Sequence, residues 1–232
     1  KKNQLENYKS LLGNGKNLGI KIKYAIQDEP KGIAEAIVIG EKFINNDSVA
    51  LILGDNIFYG HDIKKEISNK FQNRGSLIFL YEVKNPSQYG VANIKNNKLE
   101  SIVEKPKFTR SNLAVTGLYV YDKKCIDYVK NLNPSKRNEL EITDLNNYYI
   151  MKKQMNFVKL QNTSVWFDAG TFQSLLLASQ YVQAIQNRIN ILVSSPEDVA
   201  YKNKFISKKN LQNLIKNKPE NSYYDYLQDL IK

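Results

Sequence analysis

The sequence predicts an α/β fold: a Rossmann-like, mostly parallel sheet covered by helices on both faces, with a small antiparallel excursion and a C-terminal helical extension. Three observations point there. Strand-type runs at 20–27, 49–53 and 76–83 alternate with helix-type segments at 32–44 and 62–71, and that alternation argues for a sheet with helices on its faces. Two of the strand-type runs, VALIL (49–53) and SLIFLYEV (76–83), are almost wholly apolar, which suits strands buried on both sides. The tail from Pro196 to Lys232 has helix starts and no strand-type run.

The elements follow in order. Lys1 to Gly13 reads as the end of a helix. IKIKYAIQ (20–27) alternates apolar and polar residues, the period of a strand. In 32–44, Ile33, Ala36, Ile37, Phe43 and Ile44 fall near a helical period. Asp62 to Phe71 is a polar helix candidate. Val91 to Ile94, Leu99 to Glu104 and Ala114 to Tyr121 are short strands with turns at Asn96-Asn97 and around Pro106, an antiparallel excursion off the main sheet. Helices are expected over 123–132 and 141–153, a strand over 155–161, and the longest helix over 172–189. Three short helices close the chain, with Pro196 at a helix start and Pro219 between the last two. The expected domain organisation is one α/β domain over 1–190, lacking an N-terminal strand and a glycine-rich loop, with 191–232 as its helical extension.

Composition narrows the function. The 232 residues carry 34 Lys and Arg against 23 Asp and Glu, a formal charge of +11. That favours anionic partners, but the basic residues are scattered as pairs such as Lys123-Lys124, Lys152-Lys153 and Lys208-Lys209. A nucleic-acid footprint is clustered and accompanied by a reader motif, so no nucleic-acid partner is expected. No apolar run reaches the ~20 residues of a membrane span, and no membrane partner is expected. The single cysteine, Cys125, excludes an internal disulfide framework. The single histidine, His61, leaves little room for His-based zinc catalysis.

Five positions are candidates for chemistry. Asp55, in LILGDN, follows a strand-type run and Gly54. In open α/β sheets, ligands bind outside the carboxyl ends of strands, and an acid there suits Mg²⁺ with its phosphates; an ordinary turn or cap Asp is the alternative. Asp168, in SVWFDAGT, also follows a short apolar run and precedes a helix, where an acid is favoured by the helix dipole alone. Together the two could hold one metal between them. Lys105, in Glu104-Lys105-Pro106, is confined by the following proline to an extended or turn conformation, and would present a fixed cation to a phosphate. Asn85 to Gly90 is a turn whose glycine permits close ligand approach. Gln27, followed by Gly32, offers a donor and an acceptor suited to a base edge, or is a surface amide.

The stretches YAIQDEPKGIAEA, LILGDNIFYGHD, NPSQYGV, EKP, SNLAVTGLYVYD, ELEITDLN and WFDAGTFQSLLLA, in this order, resemble the sugar-nucleotide pyrophosphorylase family, and within it the branch that makes dTDP-glucose. The resemblance spans essentially the whole chain. It implies transfer of a nucleotidyl group from dTTP to glucose 1-phosphate with release of pyrophosphate. It implies Mg²⁺ held by Asp55 and Asp168, and Lys105 on the sugar phosphate. Glu104, Tyr89, Gly90 and Val115 would frame the sugar, with Trp166 packed beside it or in the core. Gln27 and Gly32 would address the thymine. A separate regulatory nucleotide site would draw on Tyr59, Gly60, Glu197, Asp198 and Lys202. The resemblance further implies a homo-oligomer, a tetramer, in the cytoplasm; a UTP-using enzyme or a non-catalytic nucleotide-sugar-binding fragment are the other readings. The family's Gly-Gly-x-Gly-Thr-Arg-Leu loop does not occur in this sequence. Such a loop at a helix N-terminus presents backbone N–H groups to phosphates, so low activity is expected of this chain.

Overall fold

A computed structural model describes residues 4–60, 62–161 and 163–232; Lys1 and His61 lie outside the described residues. In chain order the elements are α1 (Leu5–Leu12), α2 (Glu35–Ile39), α3 (Glu41–Ile44), β1 (Val49–Ile52), β2 (Asn56–Tyr59), α4 (Ile63–Lys70), β3 (Ser76–Glu82), β4 (Gly90–Lys95), β5 (Lys98–Glu104), β6 (Leu113–Tyr121), α5 (Cys125–Lys130), α6 (Ile142–Met151), β7 (Met155–Lys159), β8 (Val165–Asp168), α7 (Phe172–Ile189), α8 (Pro196–Lys202), α9 (Lys208–Ile215) and α10 (Ser222–Asp229). No helix among the described residues is long and apolar enough to cross a membrane. The chain divides into two compact units, residues 29–175 and residues 1–28 with 176–232.

Unit 29–175 holds a six-stranded sheet in the order β5-β4-β6-β3-β7, with β1 also paired to β6. The α/β class holds. The sheet is mixed: β1, β3, β4 and β7 run one way, while β5 and β6 run against them, so β3/β7 is the parallel neighbour pair. The antiparallel strands expected as an excursion are therefore built into the main sheet, because β6 lies between same-direction strands. β2 and β8 form a separate antiparallel ribbon.

The alternation of side chains on the central strands explains the two-sided core. On β3, Ile78 and Leu80 face one cluster, with Ala34, Ile37, Val129, Leu145 and Tyr149 from α2, α5, α6 and their approaches. Leu77 and Phe79 face the other, with Phe71, Val158 and Trp166. α4 contributes Ile63 and Ile67 to that second side. A buried network ties β6 to α6: the Tyr149 hydroxyl donates to Asp122 Oδ1 at 2.7 Å, and Asp122 Oδ2 accepts the Gly75 N–H at 2.8 Å.

Three expectations about elements need correction. The run 49–53 was expected to be buried on both faces, yet β1 alternates half-buried and exposed residues and Ile52 is 56% exposed; among the described residues β1 pairs with β6 alone. The helix expected over 32–44 is two short helices meeting at Gly40, with α3 ending at Asn45 in the left-handed region. A glycine inside a helix weakens it. The strand expected over 20–27 forms no ladder among the described residues. Its Ile22 N–H is instead bonded to Asn14 O, and the Tyr24 hydroxyl donates to Gly13 O.

In the unit formed by 1–28 and 176–232, α8, α9 and α10 close over Ala200, Ile206, Leu211, Ile215 and Leu227. Each helix is started by a side-chain cap. Ser195 Oγ accepts from Asp198 N, Ser207 Oγ from Asn210 N, and Asn221 Oδ1 from Tyr223 N and Tyr224 N, satisfying amides that a helix start leaves unpaired. Pro196 stands in the first turn of α8, as expected.

Candidate active site

The site lies where the large sheet forks. β3 occupies one edge of β6 along most of its length. On the other edge, β4 pairs at Ala114 and β1 pairs at Leu118–Tyr121. Between those two ladders Gly117 is left on an open edge. Its carbonyl accepts the Leu53 N–H at 2.9 Å, and its own N–H donates to Asn56 Oδ1 at 2.9 Å. Diverging strands make the kind of crevice in which open α/β sheets bind ligands.

The fork brings Asp55 and Asp168 together. β2 and β8 are in register with Asn56 opposite Asp168, and the Ala169 N–H donates to Asp55 O at 2.8 Å. Asp55 is therefore set beside Asp168 by a β-ladder. A Cβ placed on Gly170 would stand 3.2 Å from Asp168 Oδ1 and 3.5 Å from Asp55 Oδ2, so both carboxylates border the same small space. Burial raises the Asp168 carboxyl above its ordinary value and the Asp55 charge raises it further; the Gly170 N–H and Lys105 oppose them. Lys105 thus joins the two acids in one electrostatic neighbourhood. Its backbone is left-handed, φ 42°, a strained conformation for a residue before proline. The Lys105 N–H donation to Tyr89 O at 3.0 Å holds it there. Lys105 makes no ion pair among the described residues.

A second group gathers beside the acids. Gly90 opens β4 opposite Glu104 at the end of β5. The Thr143 hydroxyl donates to Glu104 Oε2 at 2.7 Å, and a Cβ on Gly90 would meet that oxygen at 3.3 Å. Arg137 lies 4.0 Å from Glu104 Oε1 and 3.0 Å from Glu141. The Tyr89 ring meets the Trp166 ring edge-on at 5.2 Å, and the nearby Asp168 adds to burial in raising the Tyr89 phenol. Val115, on β6, is 8% exposed. Tyr119 is buried, and burial followed by the Glu104 and Asp168 charges pushes its phenol well above the usual value. Tyr89 and Trp166 pack with the cluster on one side of the sheet, while Val115 and Tyr119 pack with the cluster on the other.

Of the sequence candidates, Asp55, Tyr89, Gly90, Glu104, Lys105, Val115, Trp166 and Asp168 all fall in unit 29–175, around this fork. Gly32 is in the same unit at φ 97°. Its neighbours are tied to Leu140, whose N–H donates to Lys31 O at 2.7 Å and whose carbonyl accepts from Ala34 N at 3.2 Å; a side chain at 32 would strike the Leu140 backbone. Gln27 belongs to the other unit and is exposed. Tyr59 lies opposite Val165 in the β2–β8 ribbon, and Gly60 follows at φ 80°. Glu197, Asp198 and Lys202 are engaged within the helical unit. Glu197 accepts from the Tyr223 hydroxyl at 2.5 Å, while Asp198 Oδ2 accepts from Lys202 Nζ at 2.8 Å and from the Tyr226 hydroxyl at 3.1 Å.

Sequence reasoning missed Asn56, Gly117, Thr143 and Arg137. Asn56, Gly117 and Thr143 stand inside three of the motifs that carried the resemblance, LILGDN, SNLAVTGLYVYD and ELEITDLN, which was the available signal.

Among the described residues, no group of three or more His, Cys, Asp or Glu side chains could hold a metal ion. The two-carboxylate set at Asp55 and Asp168 is unlike a closed zinc site. It fits a hard cation that keeps waters and takes further oxygens from phosphates.

Comparison with known proteins gives the family. Residues 1–185 match the family model described as Nucleotidyl transferase. The chain is 42% identical over 227 residues to glucose-1-phosphate thymidylyltransferase of Neisseria meningitidis, covering 97% of this chain and 79% of that protein. It is 41% identical over 225 residues to the protein of the same name from Mycolicibacterium smegmatis, covering 97% and 78%. A Bacillus anthracis structure assigned as a glucose-1-phosphate thymidylyltransferase, in complex with a sucrose, superposes with a TM-score of 0.71 at 40% identity, over 84% of this chain and 76% of that one. A UDP-glucose pyrophosphorylase complexed with UDP-glucose gives 0.65 at 27% identity, over 78% and 73%. The chain belongs to the nucleotidyl transferase family, which suggests sugar-1-phosphate and nucleoside-triphosphate substrates and a divalent metal.

Proposed function

We propose that this chain is a glucose-1-phosphate thymidylyltransferase, joining glucose 1-phosphate to dTTP to give dTDP-glucose and pyrophosphate. One observation carries the reading: Asp55 and Asp168 border a single space at the sheet fork, with Lys105 beside them. Phosphoryl and nucleotidyl transfers ask mainly for positioning and charge neutralisation. Mg²⁺, when bound by Asp55 and Asp168, supplies charge neutralisation at the phosphates. Lys105 holds the phosphate of glucose 1-phosphate as a fixed cation. An oxygen of that phosphate forms the new bond to the α-phosphorus of dTTP, and the bond from that phosphorus to pyrophosphate breaks. Glu104 accepts hydrogen bonds from the sugar hydroxyls, and Gly90 leaves room for them. Tyr89, Val115 and Trp166 wall the sugar, and Gly32 addresses the thymine. The companion proposals are a tetrameric homo-oligomer and a cytoplasmic site of action; light scattering on the purified chain tests the first.

The reading is tested by incubating the chain with dTTP, glucose 1-phosphate and MgCl₂, following pyrophosphate release and identifying the nucleotide sugar by mass. Product above the background of the Asp55→Asn variant is expected. Pyrophosphate release that ignores glucose 1-phosphate would overturn the assignment. The likeness to UDP-glucose pyrophosphorylase favours a second reading, UTP as donor. The 5-methyl group of thymine supports only ~1–3 kcal/mol of discrimination, and competition between dTTP and UTP decides.

A further inference from the structure

We infer that Asn56 is a positioning residue that turns the Asp55 carboxylate toward Asp168 and so prepares the pair for a divalent cation. The inference rests on the reading of Asp55 and Asp168 as the metal-binding pair and goes one residue further.

The orientation of the Asn56 amide follows from its surroundings. Its Oδ1 receives two donors, the Gly117 N–H at 2.9 Å and the Trp166 indole N–H at 2.7 Å. Both are donors only, so a flipped amide would set an NH₂ group against two N–H groups. The NH₂ is thereby committed to the other side, where it donates to Asp55 Oδ1 at 2.8 Å. With Oδ1 engaged, the other oxygen, Oδ2, is the one that borders the space shared with Asp168. A free carboxylate rotates; this one is held.

The surrounding residues are shaped for the same amide. A Cβ at Gly117 would lie 2.5 Å from Asn56 Oδ1 and 2.6 Å from its Cγ, so only glycine leaves room at that rung of β6. Trp166 is 7% exposed, and Tyr81 and Tyr89 meet its ring edge-on at 5.9 and 5.2 Å. The indole N–H therefore comes from a fixed ring. Residues that orient metal ligands through hydrogen bonds commonly change metal affinity by about 10–100-fold when removed. Asn56 also links the acid pair to Trp166, the one tryptophan in the chain, which gives the link an optical readout.

The test is a Mn²⁺ titration of the 232-residue chain, with free Mn²⁺ counted by electron paramagnetic resonance and Trp166 emission recorded in parallel. Wild type is expected to bind one Mn²⁺ with a change in emission, and Asp55→Asn to lose that binding. Asn56→Ala, checked for wild-type circular dichroism, is expected to bind about tenfold more weakly and to lose the emission change at equal occupancy. Wild-type affinity in Asn56→Ala alongside lost binding in Asp55→Asn would refute the inference and leave the acid pair standing. Equal binding by wild type and Asp55→Asn, or none by either, would remove the acid-pair reading and the inference with it. Should Asn56→Ala not fold, Trp166→Phe removes one of the two donors that fix the amide. A severalfold loss of Mn²⁺ affinity then supports the inference, and unchanged affinity refutes it.

Discussion

Thr143 donates its hydroxyl to Glu104 at 2.7 Å, from the first turn of α6 to the end of β5. The contact fixes one oxygen of the carboxylate proposed to receive the sugar hydroxyls, while Gly90 keeps the space before it clear. A hydrogen bond to a charged group contributes ~1.5–3 kcal/mol. Thr143→Val, similar in shape, is expected to weaken glucose 1-phosphate binding about tenfold, measured by calorimetry. Unchanged affinity would mean that Glu104 needs no help to hold its orientation.

Asp55 and Asp168 face one another at a cost to the metal-free fold. Burial and the Asp55 charge both disfavour the ionised Asp168 carboxyl. Asp168→Asn is therefore expected to raise Tm at pH 7 in EDTA while lowering turnover by on the order of 10²–10³. A lowered Tm would show that the acid contributes more to packing than its surroundings indicate.

Gly117 has no room for a methyl group. Gly117→Ala forces the Asn56 amide aside, and overpacking of this kind costs ~1–3 kcal/mol. Each kcal/mol moves Tm by about 2–4 °C in a chain of this size. Differential scanning calorimetry should find Gly117→Ala lower by several degrees; an unchanged Tm would contradict the tight fit.

Cys125 is buried at the start of α5, and burial, with Asp122 next, pushes its thiol up to about 12 from 9.0. The thiolate is the reactive form, so Ellman's reagent at pH 8 should label Cys125 only as fast as the chain opens. The folded state holds this proton more tightly than the unfolded state. The stabilisation is complete below pH 9 and is lost as pH rises toward 12. Prompt labelling of the folded chain would overturn this placement.

What the sequence could disclose depended on how local each signal was. The run 76–83 reads as a strand because neighbours bury both faces of β3, and the residues needed for that are consecutive. The ribbon of β2 and β8 was not legible: NIFY follows a Gly-Asp turn, and its partner lies more than a hundred residues further on. The same distance hid the meeting of Asp55 and Asp168, which only the register Asn56 opposite Asp168 supplies. The alternation at 20–27 is genuine in one respect. Ile22, Tyr24 and Ile26 are half-buried while Lys21, Lys23 and Ala25 are exposed. An alternating surface makes an extended segment, but a strand also needs a neighbour, and period alone cannot provide one. Asn56 read as turn chemistry because Gly-Asp-Asn is common in turns; its partners, Gly117 and Trp166, are contributed by two other strands.

The β2–β8 ribbon gives the acid pair a spacing measured in rungs. Each rung is a backbone pairing, indifferent to most side-chain changes, so the backbones that carry the two acids keep their spacing as a property of the main chain. The residues proposed to meet the sugar are gathered differently, as side chains from β5, β6, β8 and the approach to β4. On that proposal, substitutions at Tyr89, Glu104 or Val115 would retune which sugar phosphate is accepted without disturbing the ladder that sets the acids. A change of substrate and a change of chemistry are thus separate events in this architecture, reached through different kinds of mutation.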